Sequence, residues 1–307
     1  MWATARRILT GMARRQTHDD PLIPPPGTRL KGLALGIDVG GTGVKAALVD
    51  LATGRLASDR VREKTPQPAT PEAVTATVAS VVAQVLDGET VPDDLPVGCG
   101  LPGVVTEGIL RTAANIDKSW EGVSVEGIVG EALGRRVLAI NDADAAGLAE
   151  LAYGAAEGVS GTVLLLTIGT GIGSALFIDG RLVPNTEFGH LEFHGKDAEA
   201  RVSGAARSRR GLGWKRWARE FDEYLDRLEL YFWPDLIILG GGVSKDMTKY
   251  EHLLTTRAPV KAAELLNVAG IVGAAYAGAA SFGVAKAKPK ATARRPRKRA
   301  AASAKRS

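Results

Sequence analysis

One stretch constrains this chain more than any other: Leu33-Ala-Leu-Gly-Ile-Asp38-Val-Gly40-Gly41-Thr42-Gly43-Val-Lys45-Ala-Ala-Leu-Val-Asp50. An apolar run ends on an acid, crosses a turn made almost entirely of backbone, and resumes. Such a pattern is a β-hairpin. A turn nearly free of side chains lets its amide N–H groups close on an anion, forming a nest suited to phosphate. Asp38 stands at the lip of that nest, where a divalent cation can sit. An ordinary tight hairpin reads the same way, so the rest of the chain has to decide.

The same grammar returns about 130 residues later in Thr162-Val-Leu-Leu-Leu-Thr167-Ile168-Gly169-Thr170-Gly171-Ile172-Gly173-Ser174, and a second hairpin turn follows at Asp179-Gly180. Two like hairpins point to a duplicated lobe. Facing each other, their turns can clasp a phosphate chain. A third glycine turn, Gly240-Gly241-Gly242, closes the buried strand Asp235-Leu-Ile-Ile-Leu239. It has the form of a strand end that lets a nucleotide or phosphate approach closely.

Between the hairpins the chain alternates strand and helix. Residues 55–62 read as a third strand. Thr70-Pro71-Glu72 opens a helix with proline at an early position, and apolar residues at helical spacing carry it to Leu86. Pro96 to Gly103 is a short strand entering a turn, 123–133 is a helix, and 136–140 is a buried strand. That strand runs into Asn141-Asp142-Ala143-Asp144 and a helix over 145–156. Ligands gather at strand C-termini in open α/β sheets. Asn and Asp are also the best helix caps, so Asp142 and Asp144 stand between capping and catalysis.

Further on, Glu187 and His190 sit three apart around Gly189. A carboxylate accepts from hydroxyls and an imidazole donates or accepts, so a hydroxyl-rich ligand is the better reading of this pair, ahead of plain solvation. Metal-ligand spacing is missing here. A basic run follows: Arg201, Arg207, Arg209, Arg210, Lys215, Arg216 and Arg219. Trp214, Trp217, Phe221, Leu225, Leu228 and Phe232 then mark one long amphipathic helix with an aromatic core stripe. The cations before it lack helical partner acids, which suits an anion groove. Residues 268–284, rich in Ala and Gly, form a helix able to pack closely on a sheet.

Charge is unevenly placed. The net charge is +5, yet 286–307 holds ten Lys or Arg and no acid, leaving the remainder near −5. That tail lacks apolar periodicity and is expected to be disordered and open to nonspecific polyanion contact. Residues 1–30, with Arg6, Arg7, Arg14, Arg15 and the run Pro24-Pro25-Pro26, read as a disordered leader or a mis-assigned start. The single cysteine, Cys99, excludes a disulfide framework and a multi-cysteine zinc site, and fits a reducing cytoplasm. No apolar run reaches the roughly 20 residues of a membrane helix, so no membrane partner is expected.

Taken in order and spacing, residues 33–283 resemble the ROK family of sugar kinases, and within it the branch that takes polyphosphate as donor. The resemblance rests on Asp38-Val-Gly-Gly-Thr42, Asn141-Asp142, the second hairpin at Thr167 to Gly173, Glu187-Phe-Gly-His190, the triple glycine at 240–242, and Leu101-Pro-Gly-Val with Asn115. The segment after His190 is short and has no cysteine, unlike the zinc segment of many members. Glu199 matches the sugar-binding Glu that follows that segment, so no zinc site is implied.

The resemblance implies an α/β, actin-like (ribonuclease H-like) two-lobed sugar kinase fold. Residues 31–139 would form the first lobe and 140–267 the second, with 268–283 returning to the first. It implies Asp142 as general base, with Asn115, Asn141, Glu187, His190 and Glu199 on the sugar. Asp38, Gly40, Gly41, Thr42, Lys45, Thr167, Gly169, Thr170, Gly171, Gly241 and Gly242 would hold the phosphate donor, with Mg²⁺ near Asp38. The reaction would move a phosphoryl group from inorganic polyphosphate, and also from ATP, to the 6-hydroxyl of glucose. A homodimer is expected. Arg201, Arg207, Arg209, Arg210, Lys215 and Arg216 are candidates for an outer polyphosphate path on charge alone. Alternatives are an ATP-dependent hexose kinase and a sugar-sensing regulator that binds nucleic acid.

Overall fold

The structure, a computed structural model, describes residues 30–282. The basic tail and nearly all of the leader lie outside the described residues. The first half contains β1 (Leu33–Gly40), β2 (Gly43–Asp50), β3 (Arg55–Leu56), β4 (Val61–Glu63), α1 (Pro71–Leu86), β5 (Val97–Leu101), β6 (Val105–Thr106), β7 (Ile109–Leu110), α2 (Val125–Leu133) and β8 (Val137–Asn141). The second contains α3 (Asp142–Tyr153), β9 (Thr162–Ile168), β10 (Ile172–Ile178), β11 (Arg181–Val183), β12 (Glu192–Phe193), β13 (Lys196–Asp197), α4 (Ala198–Val202), α5 (Gly204–Arg209), α6 (Trp214–Phe232), β14 (Leu236–Gly240), β15 (Val260–Ala262) and α7 (Ala269–Ser281).

Two sheets repeat one topology. The first runs β3-β2-β1-β5-β8 with β4 also on β2, and the second runs β11-β10-β9-β14-β15. In each, an antiparallel hairpin is followed by two parallel strands, so the duplication legible in the hairpins extends to whole sheets. The third strand expected over 55–62 is two short pieces. Both pair with β2, and between them the Ser58 hydroxyl takes the Leu48 N–H.

Alternation along the strands sorts side chains into three cores. Leu35, Ile37 and Val39 face α1 and α2, while Leu164, Leu166 and Ile168 face α4 and α6. The opposite faces of both sheets, through Ala34, Ala47, Leu165 and Ala175, share a core with α3 and α7. Those inner faces carry small residues because α7 comes very close. A Cβ on Gly36 would run into the Ile271 carbonyl, and one on Gly98 into the Ala274 carbonyl. The Ala/Gly composition of α7 is thus a packing requirement. The helix spans 269–281, a little inside the expected range.

α1 begins where expected, with the Thr70 side chain accepting from the Ala73 N–H and Pro71 in the first turn. α2 starts two residues late, because Ser124 caps it. α3 starts three residues earlier than the apolar pattern indicated, at Asp142, and stops at Tyr153 because Gly154 leaves helical geometry. In α6 the aromatic stripe is core: Trp217, Phe221, Tyr224, Leu225 and Leu228 are buried, and the Trp217 indole N–H bonds the Val202 carbonyl. No helix among the described residues is long and apolar enough to cross a membrane.

Candidate active site

β1, β5, β8, β9 and β14 all point their C-terminal ends at one region, where Asp38, Leu101, Asn141, Ile168 and Gly240 terminate or nearly terminate their strands. Strand carbonyl ends leave room for ligands there. The region holds two adjoining cavities.

The larger cavity, about 740 Å³, is lined by Asn115, Asn141, Glu187, His190 and Glu199, every residue expected on the sugar, together with Asp142. It also takes in Thr167, Gly169, Thr170, Gly171 and Gly241 from the second lobe's turns. The smaller, about 220 Å³, is lined by Asp38, Lys45, Asp142, Thr167 and Gly241 among others. Asp142, Thr167 and Gly241 are common to both. Gly241 has φ +76°, and a Cβ there would collide with the Ile168 backbone, so glycine lets β14 reach β9 at this junction. The first hairpin turn departs from expectation: Gly40, Gly41 and Thr42 line neither cavity, Gly41 lying against the backbone of Asn115, and Gly242 lines neither as well.

At 141–144 the structure shows which residue caps the helix. Asn141 is the cap: its side-chain oxygen accepts from the N–H groups of Ala143 and Asp144 at 2.8 and 3.0 Å. Its Nδ2 donates to the Gly103 carbonyl at 3.0 Å. Asp142, its carboxyl also near the Ala143 N–H, lines both cavities. Burial pushes that carboxyl up to about 7, and the nearby Asp38 charge adds to the rise. A carboxyl titrating near neutrality is poised as a general base. Lys45 Nζ sits 2.7 Å from Asp38 Oδ2, one register pair across the hairpin.

On the sugar side, the Glu187 carboxyl is raised by burial. His190 Nδ1 lies 2.9 Å from Asp197 Oδ2, and this bond, first among its surroundings, raises the imidazole. Glu199 Oε2 accepts from the Ile172 N–H at 3.2 Å, anchoring α4 to the second hairpin. The loop carrying Glu187 is pinned by Ser174, whose hydroxyl donates to the Thr186 carbonyl and accepts from the Phe188 N–H.

The basic run requires a correction. Its cations do have a helical partner acid: Glu220 of α6 receives both terminal nitrogens of Arg210 at 2.7 and 2.8 Å, and Arg201 at 3.5 Å. Glu220 is one turn and a half into an otherwise basic helix start, and only the fold brings it back over α5. Arg207 stacks on Trp214 and donates to the Leu212 carbonyl, and Arg209 donates to that of Ala200. Lys215 and Arg216 are exposed. None of the six lines either cavity.

Sequence reasoning missed Lys118 and Thr112 in the larger cavity, and Glu150 and Asn267 in the smaller. These stand in no motif. Among the described residues, no group of three or more His, Cys, Asp or Glu is placed to hold a metal.

Two repeated sheets, with a polar cleft at their strand ends and a near-neutral carboxyl inside it, define the actin-like class of α/β sugar kinases. The chain belongs to the ROK family, whose model matches residues 34–204. It is 49% identical over 256 residues to the polyphosphate glucokinase of Mycobacterium tuberculosis strain CDC 1551 / Oshkosh, covering 83% of this chain and 94% of that protein. The crystal structure of the inorganic polyphosphate/ATP-glucomannokinase from Arthrobacter sp. strain KM superposes with a TM-score of 0.77 at 50% identity, covering 80% of this chain and 97% of that one. A ROK family glucokinase from Streptomyces griseus, in complex with glucose and AMPPNP, gives 0.68 at 27% identity, with 80% and 98% covered.

Proposed function

We propose that this chain is a polyphosphate-dependent glucokinase that also accepts ATP, transferring a phosphoryl group to the 6-hydroxyl of glucose. One observation carries the reading: Asp142 is shared by a cavity lined with hydroxyl-binding groups and a cavity bearing Lys45 and glycine-turn backbone. Acceptor and donor would meet at a buried carboxyl whose protonation changes near neutral pH. The similarity to a mycobacterial polyphosphate glucokinase and to an Arthrobacter enzyme using polyphosphate and ATP supports the choice of donor.

In the mechanism, Asn141, Glu187, His190, Glu199 and Asn115 hold the sugar so that its 6-hydroxyl faces Asp142. Asp142 takes the hydroxyl proton as the oxygen attacks the terminal phosphorus. Such transfers depend on positioning and charge neutralisation more than on covalent chemistry. Backbone N–H groups at Gly169 to Gly171 and near Gly241, with Lys45 and Thr167, receive the donor phosphates. Mg²⁺ usually takes one or two protein carboxylates, with phosphate and water completing its shell. Asp38, facing the smaller cavity with Asp142 close by, suits that role, and the ion would supply charge neutralisation on the phosphates. Arg209, Lys215 and Arg216 remain the best candidates for an outer polyphosphate path, since Glu220 does not engage them. We include in the proposal a homodimer and a cytoplasmic location, the latter resting on the cysteine-poor composition.

The test is an assay of purified protein with glucose, mannose and glucosamine against polyphosphate and ATP. Glucose 6-phosphate should form with polyphosphate. A folded, glucose-binding protein that forms none with either donor overturns the reading.

A further inference from the structure

Asp144 and Asn185 have no part in the chemistry above, yet they are tied into it. Asp144 is 1% exposed and sits in the first turn of α3, two residues past the base. Its Oδ2 accepts from the Asn185 N–H at 2.8 Å, and its Oδ1 has no partner. Asn185 lies in the segment between β11 and Glu187, at φ +60°. Its amide bonds both polar atoms of one residue in the other lobe. The side-chain oxygen accepts from the Val105 N–H at 2.8 Å, and the side-chain nitrogen donates to the Val105 carbonyl at 2.9 Å.

These bonds close a ring. The Asp144 N–H goes to Asn141 Oδ1, and Asn141 Nδ2 goes to the Gly103 carbonyl. Backbone leads through Val104 to Val105, Val105 pairs with the Asn185 amide, and the Asn185 N–H returns to Asp144. The ring joins the start of the catalytic helix to both walls of the larger cavity, since Gly103 and Val104 line one wall and Glu187 the other. A cavity of about 60 Å³ adjoins the ring, lined by Asp144, Asn185, Val105 and Asn141 and by apolar residues such as Leu148 and Leu182. Buried polar networks of this kind hold geometry when satisfied and fail as a unit when opened.

We propose that Asn185 is a positioning residue that sets the gap between the two walls of the sugar cavity, and that Asp144 acts through it by holding its backbone N–H. The inference rests on the kinase reading for its substrate and goes beyond it in assigning roles to residues that touch neither sugar nor phosphate. Asn185 works at a distance: the walls it joins carry Glu187 on one side and Gly103 and Val104 on the other. Removing its amide should loosen hexose binding and leave the donor cavity, built from Asp38, Lys45 and Gly241, as it was.

The experiment is steady-state kinetics and glucose titration calorimetry on the full chain, for wild type, Asn185→Gly, Asp144→Ala and Asp144→Asn. Glycine keeps the left-handed backbone without strain, so Asn185→Gly removes the amide alone. We expect it to raise the glucose KM and Kd about tenfold, the scale of losing well-placed hydrogen bonds. The polyphosphate KM should stay within about twofold and Tm within a few degrees. Asp144→Ala should behave like Asn185→Gly, and Asp144→Asn, which keeps an acceptor for the Asn185 N–H, should restore most of the affinity. Unchanged glucose constants in Asn185→Gly overturn the proposal, as does an equal rise in both KM values. Asp144→Asn failing as badly as Asp144→Ala overturns the role given to Asp144. Failure of the kinase reading looks different: wild type itself would neither bind glucose in the calorimeter nor phosphorylate it.

Discussion

Replacing the carboxyl of Asp142, the proposed general base, should stabilise this protein while it abolishes turnover. Asp142 is raised from 3.8 to about 7, chiefly by burial and then by the charge of Asp38. Protonation is therefore favoured in the folded state. Below pH about 4 the group is neutral folded and unfolded, and it has no effect on stability. Between about pH 4 and 7 the unfolded chain ionises while the folded one resists, so the native state loses ground. Above about pH 7 both forms are ionised and the cost is constant. A shift of about 3 units corresponds to about 4 kcal/mol at full development. Asp142→Asn removes this cost with little change of shape. Its stability advantage over wild type should grow by about 2–3 kcal/mol between about pH 5 and pH 8, with the plateau above neutrality. The assay is urea unfolding of both proteins at these two pH values, with glucose phosphorylation measured alongside. Wild-type kcat/KM for glucose should fall as pH drops below about 7, because the base becomes protonated. The variant should lose several orders of magnitude of turnover. An advantage for Asp142→Asn that does not grow with pH would refute the burial argument. Full activity in that variant would refute the role of the base and favour a sugar-binding regulator.

Three further outcomes follow from packing and charge. Gly98→Ala places a methyl group on the Ala274 carbonyl of α7; it should cost about 1–3 kcal/mol or more in urea unfolding, as forced overpacking does, and wild-type stability would show that α7 can lift off the sheet. Arg210→Ala leaves Glu220 without its bidentate partner and should lower stability by about 1–2 kcal/mol, whereas Arg209→Ala should leave stability unchanged and raise the KM for long polyphosphate more than for ATP, equal effects on both donors removing Arg209 from the path.

Much of the site was legible because its residues sit in local patterns. Asp38, Asn141 with Asp142 at a strand end, and Glu187 with His190 each sit in a recognisable run of four or five residues and line the cleft cavities. Glycine and strand alternation report backbone geometry directly, so both hairpins and the duplication they imply could be anticipated, while the strand order of the sheets came from the structure. Element ends were less legible, as at α3, where Asn141 starts the helix three residues before its apolar face begins.

What the sequence determined by itself is therefore the set of short-range instructions: two strand–turn–strand units, a capped helix bearing an acid, a small-residue helix for close packing. What only the tertiary structure decided is which groups are spent on one another. Glu220 takes the charge of Arg210 from ten residues away, Glu150 receives the N–H groups of Ala155, Glu264 and Leu265, and Asn185 reaches Val105 across 80 residues of chain. Burial is likewise a property of the assembled lobes, and it is burial that lifts Asp142 toward neutrality. Hydrogen bonds and desolvation act through space over a few ångströms, so no spacing along the chain encodes them until the two sheets have closed around α3 and α7.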